Sequence, residues 1–319
     1  MPVDINSAAA RQRLRENWRI LTLKAMHAAP KSVAALICQA ESSSAAVEVY
    51  DMLVQLPVMR KFEGKVKIQP TGKTQFRIEN DELEATVAIR QAALERGEAE
   101  HFNNKFEMLG IAASRRADRY LAQLMIAGFT QVDYTGTAFF AANKPHIPDV
   151  LDMGTFSNLM TEKPSAASWE KAKQLLAYIK DPNGEPYGYG DRLTVVCGSK
   201  WASTFKKILK AETILEVATG EGAAAVSNIY QGDAELIEFK HLNTAAYQDK
   251  WFVMDNSLPV RAFINQTETQ PRFYAQDDPN THKDAFDQHV FNYQVYQRAA
   301  LGFGLPQLAV GSTGADDAL

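Results

Sequence analysis

The chain has 319 residues, enough for one large domain or two ordinary ones, with 46% apolar and 23% charged residues, as in a folded globular protein. Thirty-four basic against 38 acidic residues leave a formal charge of −4, without the basic excess of a protein whose main task is to grip DNA. Cys38 and Cys197 are the only cysteines and lie far apart, which excludes a secreted disulfide framework and predicts free thiols in a reducing cytoplasm.

Met1 to Ala10 has no apolar core of signal-peptide length, and apolar runs such as Val33 to Cys38 fall far short of a membrane span. From Arg11 to Met26, Leu14, Trp18, Leu21 and Ala25 recur at helical spacing, while the arginines 11, 13, 15 and 19 lie mostly off that stripe. This predicts an amphipathic helix. Ala28 to Ser44 is rich in Ala and Ser with weak periodicity, and residues 1–50 together read as an arm that packs against something else.

Arg60 to Arg90 reads as a hairpin. A first strand over Phe62 to Gln69 leads into the turn Pro70-Thr71-Gly72-Lys73, after which Phe76, Ile78, Leu83, Ala85, Val87 and Ile89 alternate with polar residues. Few of these side chains are large and apolar, so the ribbon cannot make a core alone. Its partner is another chain, or it is a mobile flap.

Between Gly97 and Gly128, Phe102, Phe106, Leu109, Ala113, Ala117, Leu121 and Met125 keep three- and four-residue steps without a proline. Such a helix would span ~45 Å, with Gly110 as the place for a bend or break. An aromatic, turn-rich stretch from Val132 to Pro148 follows, then a helix over Ser165–Lys180 ended by Asp181-Pro182-Asn183-Gly184. Leu193–Cys197 reads as a strand feeding a helix at about 200–210, and further strands fall at 234–239, 251–255, 260–264 and 290–301. The class is α+β. The small, acidic stretch Gly311–Leu319 reads as a disordered tail.

Chemistry-bearing patterns are few. Gly220-Glu221-Gly222-Ala223-Ala224-Ala225 fits the dinucleotide fingerprint G-x-G-x-x-A, but lacks the surrounding βαβ unit, and its helix would be stopped by Gly232. Ser203 and Lys206 have the S-x-x-K spacing of serine acylases without the supporting elements. The six histidines are scattered. His282 and His289, near Asp278, Asp284 and Asp287, come nearest to a metal cluster and read better as an acidic solvated loop. No catalytic residue, metal ligand or cofactor site is assigned.

The segments that look peculiar are also those that resemble a known family. QLPVMRKFEGKVKI (55–68) followed by FRIENDELEATVAI (76–89) resembles the start of the Mu-like phage major head subunit, with Pro57, Arg60, Phe62, Gly64, Asn80, Leu83, Glu84 and Thr86 in the family's places. GFTQVDYTGTAFFAANKPHIPDV (128–150) resembles its aromatic loop with paired phenylalanines. Residues 169–209, 228–242, 250–266 and 284–312 resemble its later segments in order. One departure is Arg90-Gln91-Ala92-Ala93-Leu94, where the family often has an acidic run.

The resemblance implies the Hong Kong 97-type capsid fold. Its parts would be an N-terminal arm at 1–50, an extended-loop hairpin at 60–90, and a peripheral domain from 51–59, 91–159 and 276–311 with its spine helix at about 97–128. An axial domain at 160–275 and a flexible tail at 312–319 complete it. The implied function is a self-assembling head protein of an icosahedral, double-stranded DNA phage, found in the virion, assembled in the bacterial cytoplasm, and not an enzyme. Implied partners are copies of itself in hexamers and pentamers, a scaffold, a maturation protease, a portal, an optional decoration protein and packaged DNA through weak non-specific contact, with no membrane. Candidate inter-subunit contacts are Arg60, Lys65, Lys67, Ile68, Lys73, Phe76 and Arg77 on the hairpin and Trp18 on the arm. A tail-tube or sheath subunit is the alternative, and a nucleotide-dependent oxidoreductase using Gly220 and Gly222 a distant third.

Overall fold

The computed structural model describes residues 7–51, 75–146, 154–181, 184–216 and 224–316. Helix α1 (Ala8–Ala28) is the helix that the Leu14–Trp18–Leu21 stripe predicts. The single turn α2 (Val33–Ile37), whose Ala35 N–H donates to the Ser32 hydroxyl, buries Ala34 and Ile37. Strands β1 (Gln39–Ser42) and β2 (Val47–Asp51) follow. β3 (Gln75–Glu79) and β4 (Asp81–Arg90) run on from each other across Asn80. Next come α3 (Gln91–Glu95), a 3-10 turn, α4 (Asn103–Ser114) and α5 (Arg116–Ala127).

The aromatic stretch and the residues after it carry β5 (Lys144–Pro145), β6 (Thr155–Phe156) and β7 (Leu159–Met160). Helix α6 (Ala166–Tyr178) starts at a reciprocal cap between Ser165 and Ser168. β8 (Leu193–Cys197) feeds α7 (Ser199–Lys210), followed by β9 (Thr213–Glu216), β10 (Ala224–Ser227), β11 (Ala234–Glu238) and β12 (Trp251–Asp255). The long strands β13 (Phe263–Gln276) and β14 (Val290–Phe303) flank the short α8 (Lys283–Asp287), and β15 (Ala309–Ser312) follows.

One sheet has the order β11-β8-β12-β15-β7. Its strands β8 and β12 bury every residue, as their largely apolar sequences fit in a sheet covered on both faces. Alternation divides them. Val195, Cys197, Trp251 and Val253 pack with Trp169 of α6 and Phe205 of α7, while Val196, Phe252 and Met254 face a central core with the aromatic stretch.

The second sheet has the order β1-β13-β14-β4. α1 and α4 cover one of its faces: Trp18 stacks on Phe106 at 4.6 Å and meets Tyr293 edge-on at 5.0 Å. The paired phenylalanines join the two sheets. Phe139 stacks on Phe303 at 4.5 Å, and Phe140 lies 5.5 Å from Phe252.

Three sequence expectations change. The helix expected over 97–128 is broken at Arg115, between α4 and α5, not at Gly110. Gly110 instead admits α1, since a Cβ there would strike the Thr22 carbonyl. Residues 7–51, read as an arm, pack on the chain's own α4 and β13. The tail is held through Asp316: Gly311 and Ser312 pair with Phe252 and Trp251, and the Asp316 carboxylate accepts the Lys163 N–H at 2.8 Å.

Candidate assembly surface at the ribbon base

β2 and β3 form an antiparallel two-stranded ribbon, Val47 opposite Glu79 and Asp51 opposite Gln75. Of the hairpin expected at 60–90, the first strand and its turn lie outside the described residues; β3 pairs with β2 upstream, and β4 leaves the ribbon to join β14. Asn80 makes the change of partner possible. Its N–H donates to the Ala46 carbonyl at 2.8 Å, its amide donates to Ser43 Oγ at 2.9 Å and the Ala45 carbonyl at 2.8 Å, and its Oδ1 accepts from Gln266 at 2.8 Å.

The ribbon base is seated on the four-stranded sheet. Ile78 is buried against Ile264 and Ala300, in space that a Cβ on Gly302 would occupy. Tyr50 stacks on Phe76 at 5.1 Å and donates its hydroxyl to Gln266 at 2.7 Å. Burial raises the Tyr50 phenol to about 12, with Glu41 and Glu48 adding to the effect, so the bond persists at neutral pH. A groove of about 430 Å³ runs beside the base, lined by Phe76, Ile78, Leu124, Val132, Tyr134 and Phe303 among others.

Of the sequence-chosen contact residues, Phe76 is half-buried in this stack and Arg77 is exposed on the ribbon. Trp18 has no accessible surface, and its indole N–H donates to Asn103 at 3.1 Å. Trp18 is a core residue of the subunit and offers nothing to a neighbour, since its ring closes the α1–α4 crossing. Arg60, Lys65, Lys67, Ile68 and Lys73 lie outside the described residues. Tyr50, Gln266 and Gly302 were missed in the sequence. Nothing local marks them, because each acts through a partner more than a hundred residues away or on a strand of another hairpin.

Among the described residues, the chemistry candidates do not gather into a site. Ala224–Ser227 is a strand antiparallel to Thr213–Glu216, where the dinucleotide fingerprint needs a helix; Gly220 and Gly222 themselves lie outside the described residues. Ser203 and Lys206 are both exposed on α7. Among the described residues, no three of His, Cys, Asp and Glu come together so as to hold a metal ion. Cys38 and Cys197 are free, and burial raises both thiols, Cys197 to about 12, so neither is a ready nucleophile. Lys144 and Asp133 form a fully buried ion pair at 2.6 Å, with Lys144 also donating to the Ala138 carbonyl at 2.7 Å. The pair pins the aromatic stretch. No helix among the described residues is long and apolar enough to cross a membrane.

The family model of the Mu-like prophage major head subunit gpT matches residues 12–169 and 243–318. The chain belongs to this family. As a Mu-like major head subunit it is a major capsid protein of a tailed phage. No curated protein matches it. Solved structures similar to it include the procapsid of bacteriophage JBD30, at 19% identity and TM-score 0.59 over 98% of this chain and 77% of that one. The virus-like particle of Pyrococcus furiosus matches at 10% identity and TM-score 0.52 over 93% and 98% of the two chains. The capsid of cyanophage P-SCSP1u matches at 12% identity and TM-score 0.52 over 86% and 85%. The fold of this head subunit is that of the Hong Kong 97-type tailed-phage capsids.

Proposed function

We propose that the subunit tiles a closed icosahedral shell around packaged double-stranded DNA, and that its role is structural and not enzymatic. The observation that carries this is the family match over both ends of the chain, with a ribbon base clamped onto the subunit's own sheet. One sequence serving six-fold and five-fold rings needs heterologous contacts that tolerate small angular changes. Many weak contacts per copy then sum to an effectively permanent shell.

Copies of the chain are its principal partners. A scaffold, a maturation protease, a portal and a decoration protein are further partners that the family reading supports, with DNA touching the inner wall only weakly. The formal charge of −4 supports that last point, because a strongly basic wall would hold DNA during packaging. The five-stranded sheet with α6 and α7 is our candidate axial domain, and the four-stranded sheet with α1, α4 and α5 our candidate peripheral domain. That division assigns β13 to the peripheral part, beside its partner β14. The test is expression of the full chain and negative-stain electron microscopy of the product. Closed spheres are expected; tubes or dispersed subunits alone would overturn the reading.

A further inference from the structure

Arg192 and Arg261 come together where the two sheets join. Arg192 leads into β8, and its carbonyl accepts the Asn256 N–H at 2.9 Å. Arg261 precedes β13, with its N–H donating to Gln39 Oε1 at 3.2 Å and its carbonyl accepting the Leu305 N–H at 3.1 Å. The two side chains therefore start from fixed points. Both line one cavity of about 340 Å³, with Leu36 of α2 as an apolar wall.

The pair is short of negative charge. Arg261 Nη1 is buried and has no hydrogen-bond partner, and among the described residues the Arg192 guanidinium makes neither a hydrogen bond nor an ion pair. Burial lowers the Arg261 pKa, the charge of Arg192 lowers it further, and Asp255 opposes them. Asp255 is already engaged, since its two carboxylate oxygens accept the Gly190 and Ser257 N–H groups, each at 2.9 Å. Asp191, Asp233 and Glu235 also border the cavity. Asp191 and Glu235 are exposed, and Asp233 pairs with Lys173 at 2.8 Å. A buried donor without an acceptor and two like charges side by side are both costly. One oxyanion between the arginines removes both costs.

We propose that this cavity binds a single phosphate group, held between Arg192 and Arg261. A guanidinium presents a planar fork of N–H donors that matches two phosphate oxygens. A tetrahedral phosphate has oxygens for two such forks and charge for two cations, whereas one fork fills a planar carboxylate. The acidic border of Asp191, Asp233 and Glu235 repels a longer polyanion, which selects a free phosphate over a DNA backbone. Arg192 adjoins the five-stranded sheet and Arg261 the four-stranded one, so the bound anion ties the two sheets together. The residues that form the site belong to one subunit, and the inference does not depend on the shell reading.

The test uses the full-length chain and inorganic phosphate. Titration at fixed pH, with chloride holding the ionic strength constant, should broaden the phosphorus-31 resonance and raise the unfolding temperature to a plateau. Arg192→Gln changes an exposed side chain and should weaken binding on the order of tenfold, the worth of one charge-assisted contact. Arg261→Met removes the orphaned donor, so it should unfold no lower than the wild type in phosphate-free buffer and lose the response to phosphate. Arg119→Gln, exposed on α5, is the control and should respond as the wild type does. An equal rise in all four chains would mean general exclusion of phosphate from the surface and overturn the site, as would the absence of broadening. Displacement of bound phosphate by a duplex oligonucleotide at matched ionic strength would overturn the choice of a free phosphate.

Discussion

Gly110 lies where α1 crosses α4, and there the backbone of Thr22 takes the room that a side chain would use. Replacement by alanine forces the two helices apart, because the obstacle is backbone and cannot rotate away. Gly110→Ala should therefore cost about 1–3 kcal/mol, the range of core overpacking, read as a lower urea midpoint at unchanged m-value. Asp118 makes a second prediction at this scale. It is buried, accepts the Ala34 N–H at 3.1 Å, and burial raises its carboxyl above the ordinary value while that bond opposes the shift. A raised carboxyl means that the unfolded chain releases the proton first. Ionisation therefore destabilises the fold fully above the folded-state pKa, and that cost fades as pH falls toward the unfolded value. Asp118→Asn keeps an acceptor for Ala34 and removes the titration. The stability difference, wild type minus variant, should rise as pH is lowered from neutrality toward that range; a flat difference would contradict it. Neither role was legible in the sequence. Gly110 suggested a bend because a glycine inside a helical pattern usually weakens it, and only a helix from elsewhere in the chain gives the other reason.

Among elements, those whose pattern is local were legible. The helices at 8–28, 166–178 and 199–210 follow their stripes, and the strands LTVVC and WFVMD follow their short, largely apolar runs. The pairing of β2 with β3 was not, since residues 52–74 separate the partners and the Pro-Thr-Gly-Lys turn offered a nearer solution. Nor was the held tail, whose ordering depends on Phe140 and Lys163 and not on its own composition. The ribbon base gives the prediction for this scale. Asn80→Ala removes three side-chain bonds that stitch the 43–45 turn and Gln266 to the β3–β4 junction. At ~1 kcal/mol per bond this is about 2–3 kcal/mol. Hydrogen exchange should quicken in β2 and β3 while β8 and β12 keep their protection; uniform quickening would show that the base is not a separate unit.

At the level of the whole molecule, the subunit is separable from what it builds. Replacing residues 55–72 with a short Gly-Ser linker leaves Phe76 and Ile78 in place, so thermal unfolding should stay within a degree or two of the wild type by ordinary loop-shortening costs of ~1 kcal/mol or less. Particles should be lost, scored by electron microscopy. A deletion that reaches Ile78 would strip the sheet of a buried side chain and confuse folding with assembly. Fold class and family were legible because the matching segments recur in order along the chain.

Closure of the four-stranded sheet has a timetable. Gln39 of β1 pairs with Ile264, Ile78 needs Ile264 and Ala300, and Asp81 waits for Ala299. At ribosomal speeds of roughly 5–20 residues per second, the early strands wait on the order of ten seconds or more for partners that emerge almost last. A chain that stops short of Ile264 thus lacks the strands that seat its ribbon base. The four-stranded sheet therefore closes only once nearly the whole chain has been made.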